Sequence, residues 1–247
     1  MPNTKPLQDK VAVITGAGRG IGQAIAVAYA RAGAAVCLAA RSQEQLDQTA
    51  SRIHGEGGQV MAIVADVRDY VSVEALMARA AATYGGIDIA VAAAGIAGEN
   101  KRVDESDPAE WPEAIHVNLF GTFHTARAAI PHLRRRGSGK IILLGSGMGH
   151  RSGPTRSAYA ASKAGVWMLT RVLAQELTSD DICVNELIPG PVMTALIAGR
   201  EGQLGAGNPS VEWYKTPEDV APLALFLATQ PTRGPTGQTF SLARREL

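Results

Sequence analysis

The chain has 247 residues, 46% of them apolar and only 5% aromatic, with a formal net charge of +1. A length of this order suits one large α/β domain, and the wealth of small aliphatic residues suits a buried parallel sheet flanked by helices. The near-zero charge gives no basis for nucleic acid or an anionic membrane surface as partner.

No N-terminal signal segment is visible in the sequence. No apolar run approaches the ~18 residues a membrane helix needs, so the expected product is soluble and cytoplasmic. Met1 to Lys10 is polar, carries Pro2 and Pro6, and reads as a short arm. Val11 to Ile14 is a compact buried strand. Thr15-Gly16-Ala17-Gly18-Arg19-Gly20-Ile21-Gly22 follows directly, and Gln23 to Ala32 reads as a helix stopped at Gly33. Strand, glycine turn and helix in that order place a diphosphate on a helix N-terminus. The spacing is TGxxxGxG, because Ile21 stands where a GxGxxG turn would have its third glycine.

The alternation continues. Ala35–Ala39 is a second strand, Gln43–Ile53 a helix, Val60–Ala65 a third strand and Val71–Tyr84 a helix. Ile87–Ala92 is a fourth strand. Pro108–Arg136 is a long helix in one or two pieces, which Pro131 should bend. The Arg134-Arg135-Arg136 run reads as its solvated C-terminus. Ile141–Leu144 is a fifth strand, Ala158–Leu177 a helix, Ile182–Ile188 a sixth strand, Pro217–Ala228 a helix and Gln238–Leu242 a last strand. The segment 193–215 is Gly-rich and irregular, and reads as a lid over a substrate. Cys37 and Cys183 fall inside apolar strands and read as core residues without a disulfide. No repeat or linker divides the chain, so 1–247 is expected to form a single Rossmann-type domain. About seven strands make a doubly wound parallel sheet, with helices on both faces.

In such a sheet the ligand lies at the carboxyl ends of the strands. Thr15 to Gly22, Ala40-Arg41, Asp66, Gly95, Ser146 and Pro189 to Thr194 should therefore converge. Tyr159 and Lys163 belong to the same edge and are four residues apart, one turn from each other on a helix face. A phenol ionises near pH ~10. An ammonium about 4 Å away contributes ~4 kcal/mol at an effective dielectric of ~20, enough to lower that value by up to ~3 units before screening. Such a tyrosine exchanges protons near neutrality. Alone, the pair reads first as a chance pairing on a solvated helix face; its weight comes from the rest of the pattern.

Taken together, the Thr15–Gly22 turn, Asp66-Val67, Asn118, Ser146, Tyr159, Lys163 and Pro189-Gly190 with Thr194 resemble the short-chain dehydrogenase/reductase family. Ser146 stands thirteen residues before Tyr159, as it does in that family. The resemblance implies a dinucleotide whose pyrophosphate lies along Gly16, Gly20, Ile21 and Gly22, with the adenine near Asp66 and Val67. Ala94 and Gly95 would add contacts after the fourth strand, and the nicotinamide would lie by Pro189, Gly190, Val192 and Thr194. Ser146 would bond the substrate oxygen and Tyr159 would protonate it. Lys163 would bind the nicotinamide ribose and lower the tyrosine's pKa. Asn118 would hold a water linking Lys163 to solvent. Two departures stand out. Ala92-Ala93-Ala94-Gly95 replaces the usual Asn-Asn-Ala-Gly, and Phe240-Ser241-Leu242-Ala243-Arg244-Arg245 replaces the usual C-terminal Val-Asp-Gly-Gly.

Cofactor choice is read where the second strand ends. Ala40 offers no carboxylate to the ribose, while Arg41 and Arg19 can grip a 2′-phosphate, which points to NADP(H) and to carbonyl reduction. The expected substrate is a small or medium, fairly apolar ketone or secondary alcohol. A 3-oxoacyl thioester on acyl carrier protein is the alternative. It is disfavoured because Ser179-Asp180-Asp181 stands where relatives with that activity carry an arginine. A dinucleotide-binding sensor without catalysis is the competing class; such a protein would be expected to have lost the serine, tyrosine or lysine. His54, His116, His124 and His132 form no metal-ligand set, and His150 reads either as pocket lining or as a plain loop residue. The resemblance implies pairing of the helices 108–136 and 158–177 across a two-fold axis, within an expected homotetramer.

Overall fold

The computed structural model describes residues 5–151, 153–196 and 213–244. Strands β1 (Val11–Thr15), β2 (Ala35–Ala40), β3 (Val60–Val64), β4 (Ile89–Ala92), β5 (Gly139–Leu144), β6 (Ile182–Ile188) and β7 (Thr239–Ser241) form one sheet in the order β3-β2-β1-β4-β5-β6-β7. Every neighbouring pair is parallel. The sheet can be wholly parallel because both of its faces are covered. Alternate residues of each strand supply the two cores. Ala12, Ile14, Val36, Leu38, Ile142 and Leu144 face one side, while Val13, Cys37, Ala39, Ile141 and Leu143 face the other.

Helices α1 (Gly20–Arg31), α2 (Gln43–Gly55) and α7 (Pro217–Ala228) cover the first face. Helices α3 (Tyr70–Tyr84), α5 (Gly121–Arg136) and α6 (Ser157–Glu176) cover the second, with the short α4 (Trp111–Ile115) packed on α6. Helix α1 packs against α7, and the fully buried Tyr29 of α1 donates its hydroxyl to the Ala224 carbonyl of α7 at 2.8 Å. The seven-stranded sheet flanked by helices is the Rossmann-type arrangement expected from the sequence.

Details differ from expectation in three places. The long helix 108–136 is broken by a π-helical turn, His116–Phe120, between α4 and α5. Such turns are a recurrent feature of functional regions, and this one contains Asn118. The basic run at the end of α5 is not simply solvated: Arg136 pairs with Asp88 at 3.0 Å and Arg134 with Asp180 at 2.8 Å. The described part of the N-terminal arm, from residue 5 on, is pinned, because Leu7 is buried and its N–H donates to Ala32 O at 2.9 Å. Cys37 and Cys183 are both buried and free, as expected.

Of the segment 193–215 read as a lid, 197–212 lies outside the described residues. Its two ends are joined: Met193 N donates to Lys215 O at 2.8 Å, and Lys215 N to Pro191 O at 3.0 Å.

Candidate active site

The carboxyl ends of the strands open into a cleft of about 690 Å³. Its lining includes Gly16, Arg19, Gly20, Ile21, Gly22, Arg41, Asp66, Val67, Ala94, Gly95, Ser146, Tyr159, Lys163, Pro189, Gly190, Val192 and Thr194. Of the residues expected to converge from the strand ends, Thr15 and Ala17 are buried and do not line the cleft, and neither does the expected site residue Asn118. That residue is fully buried behind the cleft wall.

The turn from β1 into α1 is built by close approach. Gly16 has φ +70°, and a Cβ there would lie 2.6 Å from Ala94 N. A Cβ on Gly22 would lie 2.4 Å from Gly16 O. Only glycine lets the turn fold back against the β4 loop and leave the first N–H groups of α1 facing the cleft. Arg19 precedes α1 in extended backbone and is exposed. Ala40 ends β2, Arg41 follows it exposed, and the Ser42 hydroxyl accepts from Gln45 N at 3.3 Å to start α2. Asp66 is the sole carboxylate among the described residues lining the cleft. Arg68 grips it at 2.6 Å, and that contact, with Arg41 further off, holds the Asp66 carboxyl below its usual range. The lining thus sets Arg19, Arg41 and Lys163 against one carboxylate already held by Arg68. The glycine cradle and this charge balance fit an anionic dinucleotide.

Lys163 is 5% exposed, and its ammonium donates to the Leu144 carbonyl at 2.7 Å. Burial pushes its pKa down to about 8, with the Glu186 carboxylate acting the other way. The Lys163 Nζ stands 5.9 Å from the centroid of the Tyr159 ring. Tyr159 departs from the sequence-based expectation. Burial pushes its phenol above the ordinary value, while the Ser146 side chain and the Arg156 charge pull it down. The expected lowering by Lys163 is not what these residues produce. Desolvation is the largest influence on the phenol and outweighs the pull of Ser146 and Arg156. Ser146 follows β5 at the mouth of a short turn, and its Oγ accepts from Met148 N at 3.2 Å.

The Asn118 side chain bonds protein groups on two elements. Its Oδ1 accepts from Ile96 N at 2.8 Å, and its Nδ2 donates to Ile96 O at 3.0 Å and to Ser162 Oγ at 3.0 Å. The side chain clamps the loop after β4 onto α6, where Ala92 and Ala93 supply no bracing amide of their own. Its side-chain amide is committed to protein partners.

His150 does not line the cleft. It turns inward to Glu186, with Nε2 at 2.9 Å from Oε2, and its ring lies against Trp167. Glu186 is the functional candidate that sequence reading missed. Its signal was a carboxylate in the middle of the apolar strand Ile182–Ile188, a position that costs free energy unless the charge is used. Arg156 was missed as well; it stands one turn before Tyr159, buried and in the cleft wall. Asp180 and Asp181 prove less repulsive than the bare sequence suggests, since Arg134 and Arg233 pair with them. No cluster of metal-ligating side chains occurs among the described residues, and none of their helices is long and apolar enough to cross a membrane.

A nucleotide-type cleft at the carboxyl edge of a parallel sheet, with serine, tyrosine and lysine on one wall, defines an oxidoreductase-like α/β protein. Residues 10–203 match the short chain dehydrogenase family model, and the chain belongs to that family. It is 37% identical to an uncharacterized oxidoreductase of Staphylococcus aureus (strain N315), over 91% of this chain and 93% of the relative. It is 33% identical to a 3-oxoacyl-[acyl-carrier-protein] reductase of Thermotoga maritima, over 96% and 97%. Among solved structures, a short-chain type dehydrogenase/reductase from Mycobacterium marinum superposes with TM-score 0.90 at 34% identity, covering 97% of this chain and 96% of that one. Levodione reductase superposes with TM-score 0.89 at 29% identity, covering 96% and 97%. Members of this family bind nicotinamide dinucleotides.

Proposed function

We propose that the protein is an NADP(H)-dependent oxidoreductase that reduces a ketone to a secondary alcohol. The observation that carries the reading is the wall where β2 ends. Ala40 presents no carboxylate there, Arg19 and Arg41 flank it exposed, and Asp66, the carboxylate among the described lining residues, is held by Arg68. Two guanidinium groups without a competing charge suit a 2′-phosphate.

Gly16, Gly20, Ile21 and Gly22 would hold the diphosphate, with Asp66, Val67, Ala94 and Gly95 along the adenosine half. Pro189, Gly190, Val192 and Thr194 would line the nicotinamide end. The bound dinucleotide supplies the hydride. Ser146 Oγ donates to the carbonyl oxygen and orients it. Tyr159 Oη gives its proton to the same oxygen as negative charge gathers there. A phenol kept protonated by burial is the right starting form for an acid in the reducing direction. Lys163 and Arg156 provide the positive field that stabilises the phenolate left behind. Asn118 acts by fixing the backbone of Ile96 and the position of α6.

Exposed apolar side chains on the π turn, α5 and α6, namely Phe120, Phe123, Met168 and Val172, support assembly into a homo-oligomer through these helices. The family relationship to a carrier-protein reductase keeps a 3-oxoacyl thioester as the second substrate reading. Steady-state kinetics with NADPH and NADH against a panel of ketones and one 3-oxoacyl thioester test the proposal. We expect turnover of a free ketone with higher kcat/KM for NADPH; equal or higher kcat/KM for NADH defeats the cofactor reading. Tight dinucleotide binding without turnover of any carbonyl would mark a sensor.

A further inference from the structure

We infer that Arg244 is a positioning residue of this site: stacked on Trp213, it pins the C-terminal arm to the limb 213–215 and so sets the nicotinamide end of the cleft. The guanidinium carbon of Arg244 lies 5.5 Å from the centroid of the Trp213 ring. Both residues are exposed, Trp213 by 61%, so burial in the core does not fix either of them. Arg244 belongs to the C-terminal stretch in which the sequence departs from Val-Asp-Gly-Gly.

The path from this stack to the cleft is short and continuous. After β7 the arm stays on β6, with Leu242 N donating to Ile188 O at 2.9 Å. Ala243 N donates to the Ser241 hydroxyl at 3.0 Å, and Ala243 itself lines the cleft. Gly190, with φ +69°, is pressed against it: a Cβ there would lie 3.4 Å from Ala243 Cα and 3.1 Å from Lys215 Nζ. Lys215 Nζ in turn donates to Trp213 O at 3.4 Å, while the Lys215 main chain bonds both Pro191 and Met193. The pieces 188–193, 213–215 and 242–244 thus meet at one place, and the stack of Arg244 on Trp213 closes the ring that they form. Fixing the second piece against the third limits how far 189–194 can shift at the cleft.

A guanidinium over an indole face at an exposed site is a contact of modest strength. It is too weak to decide folding and strong enough to bias the position of a surface limb. A lysine would keep the cation and lose the planar stack.

The inference rests on the reading of 189–194 as the nicotinamide end, and its test needs no turnover. Calorimetry on the full chain gives Kd for NADP+ and for adenosine 2′,5′-bisphosphate, which has only the adenosine half. Arg244→Ala should weaken NADP+ by roughly three- to fivefold, the scale of one exposed cation–π contact, and leave the bisphosphate unchanged. Arg244→Lys should fall between Arg244→Ala and wild type. Trp213→Leu should weaken NADP+ to the same degree, and the double variant should be no weaker than either single one. Wild-type NADP+ affinity in Arg244→Ala overturns the inference. So do equal losses for both ligands, which mark general damage, and additive losses in the double variant, which mean that the two side chains act separately. If the wild-type protein binds NAD+ more tightly than NADP+, only the cofactor choice is defeated, and the same comparison decides the inference with NAD+ against ADP. A wild-type protein that binds neither dinucleotide overturns the site reading and the inference with it.

Discussion

Lys163 reaches across from helix α6 to donate to the main-chain carbonyl of Leu144 at 2.7 Å, two residues before Ser146. The bond ties the helix bearing the tyrosine to the strand bearing the serine, and it does so with a charge taken out of water. That charge opposes folding. The Lys163 pKa falls from 10.5 to about 8 on folding, so the unfolded chain binds the proton more tightly between those values. Stability therefore rises with pH through that window, and the penalty is complete below it. Lys163→Met should be more stable than wild type at neutral pH by about 2 kcal/mol, once the lost bond to Leu144 is set against the relieved burial. Urea unfolding at several pH values checks this: the advantage should shrink as pH rises from about 8 toward 10.5. A constant difference across that range would mean Lys163 is not the group responsible.

Tyr159→Phe should leave the fold and dinucleotide affinity intact and reduce kcat by ~100-fold or more, the scale of general acid–base catalysis. The measurement is kcat beside a cofactor titration. Near-normal turnover would remove Tyr159 as the proton donor.

Asn118→Ala should destabilise the protein by about 2–4 kcal/mol, because the Ile96 N–H and C=O both lose a buried partner. Denaturant unfolding measures the loss. A change within about 0.5 kcal/mol, the range of ordinary surface substitutions, would show that water or backbone replaces the clamp.

Replacing Ala40 with Asp and Arg41 with Ala should reverse cofactor preference toward NADH. The pair of changes adds a carboxylate that repels a 2′-phosphate and removes one guanidinium that grips it. The ratio of kcat/KM for the two cofactors reads this directly, and an unchanged ratio would place the discrimination elsewhere.

Phe123→Glu with Met168→Glu should lower the oligomeric state without loss of helix content, since both side chains are exposed by more than a third. Analytical ultracentrifugation of variant and wild type decides, and a wild-type chain that is monomeric at micromolar concentration would sink the assembly proposal.

The fold was legible because its signals are periodic or local. Buried parallel strands read as short apolar runs, and Ile182–Ile188 and Pro217–Ala228 fall where sequence pattern puts them. The cleft lining was legible because topology sends strand ends to one edge. What failed was what depends on tertiary neighbours. The acidity of Tyr159 turns on the balance between burial and the pull of Ser146 and Arg156, which spacing along a helix does not reveal. Asn118 shows the same gap: its position was foreseen and its hydrogen-bond partners were not. Glu186 was visible as a charge inside an apolar strand, but its contact with His150 exists only in three dimensions.

The bond from Tyr29 to Ala224 has a consequence for synthesis. The first helix closes its apolar face against the last helix described, almost two hundred residues later in the chain. On the ribosome, α1 emerges early with that face bare and must wait for α7. Residues such as Ile25 and Tyr29 are then open to other apolar surfaces for most of elongation. Emergence of α7, rather than completion of the central strands, is the event that seals this side of the molecule.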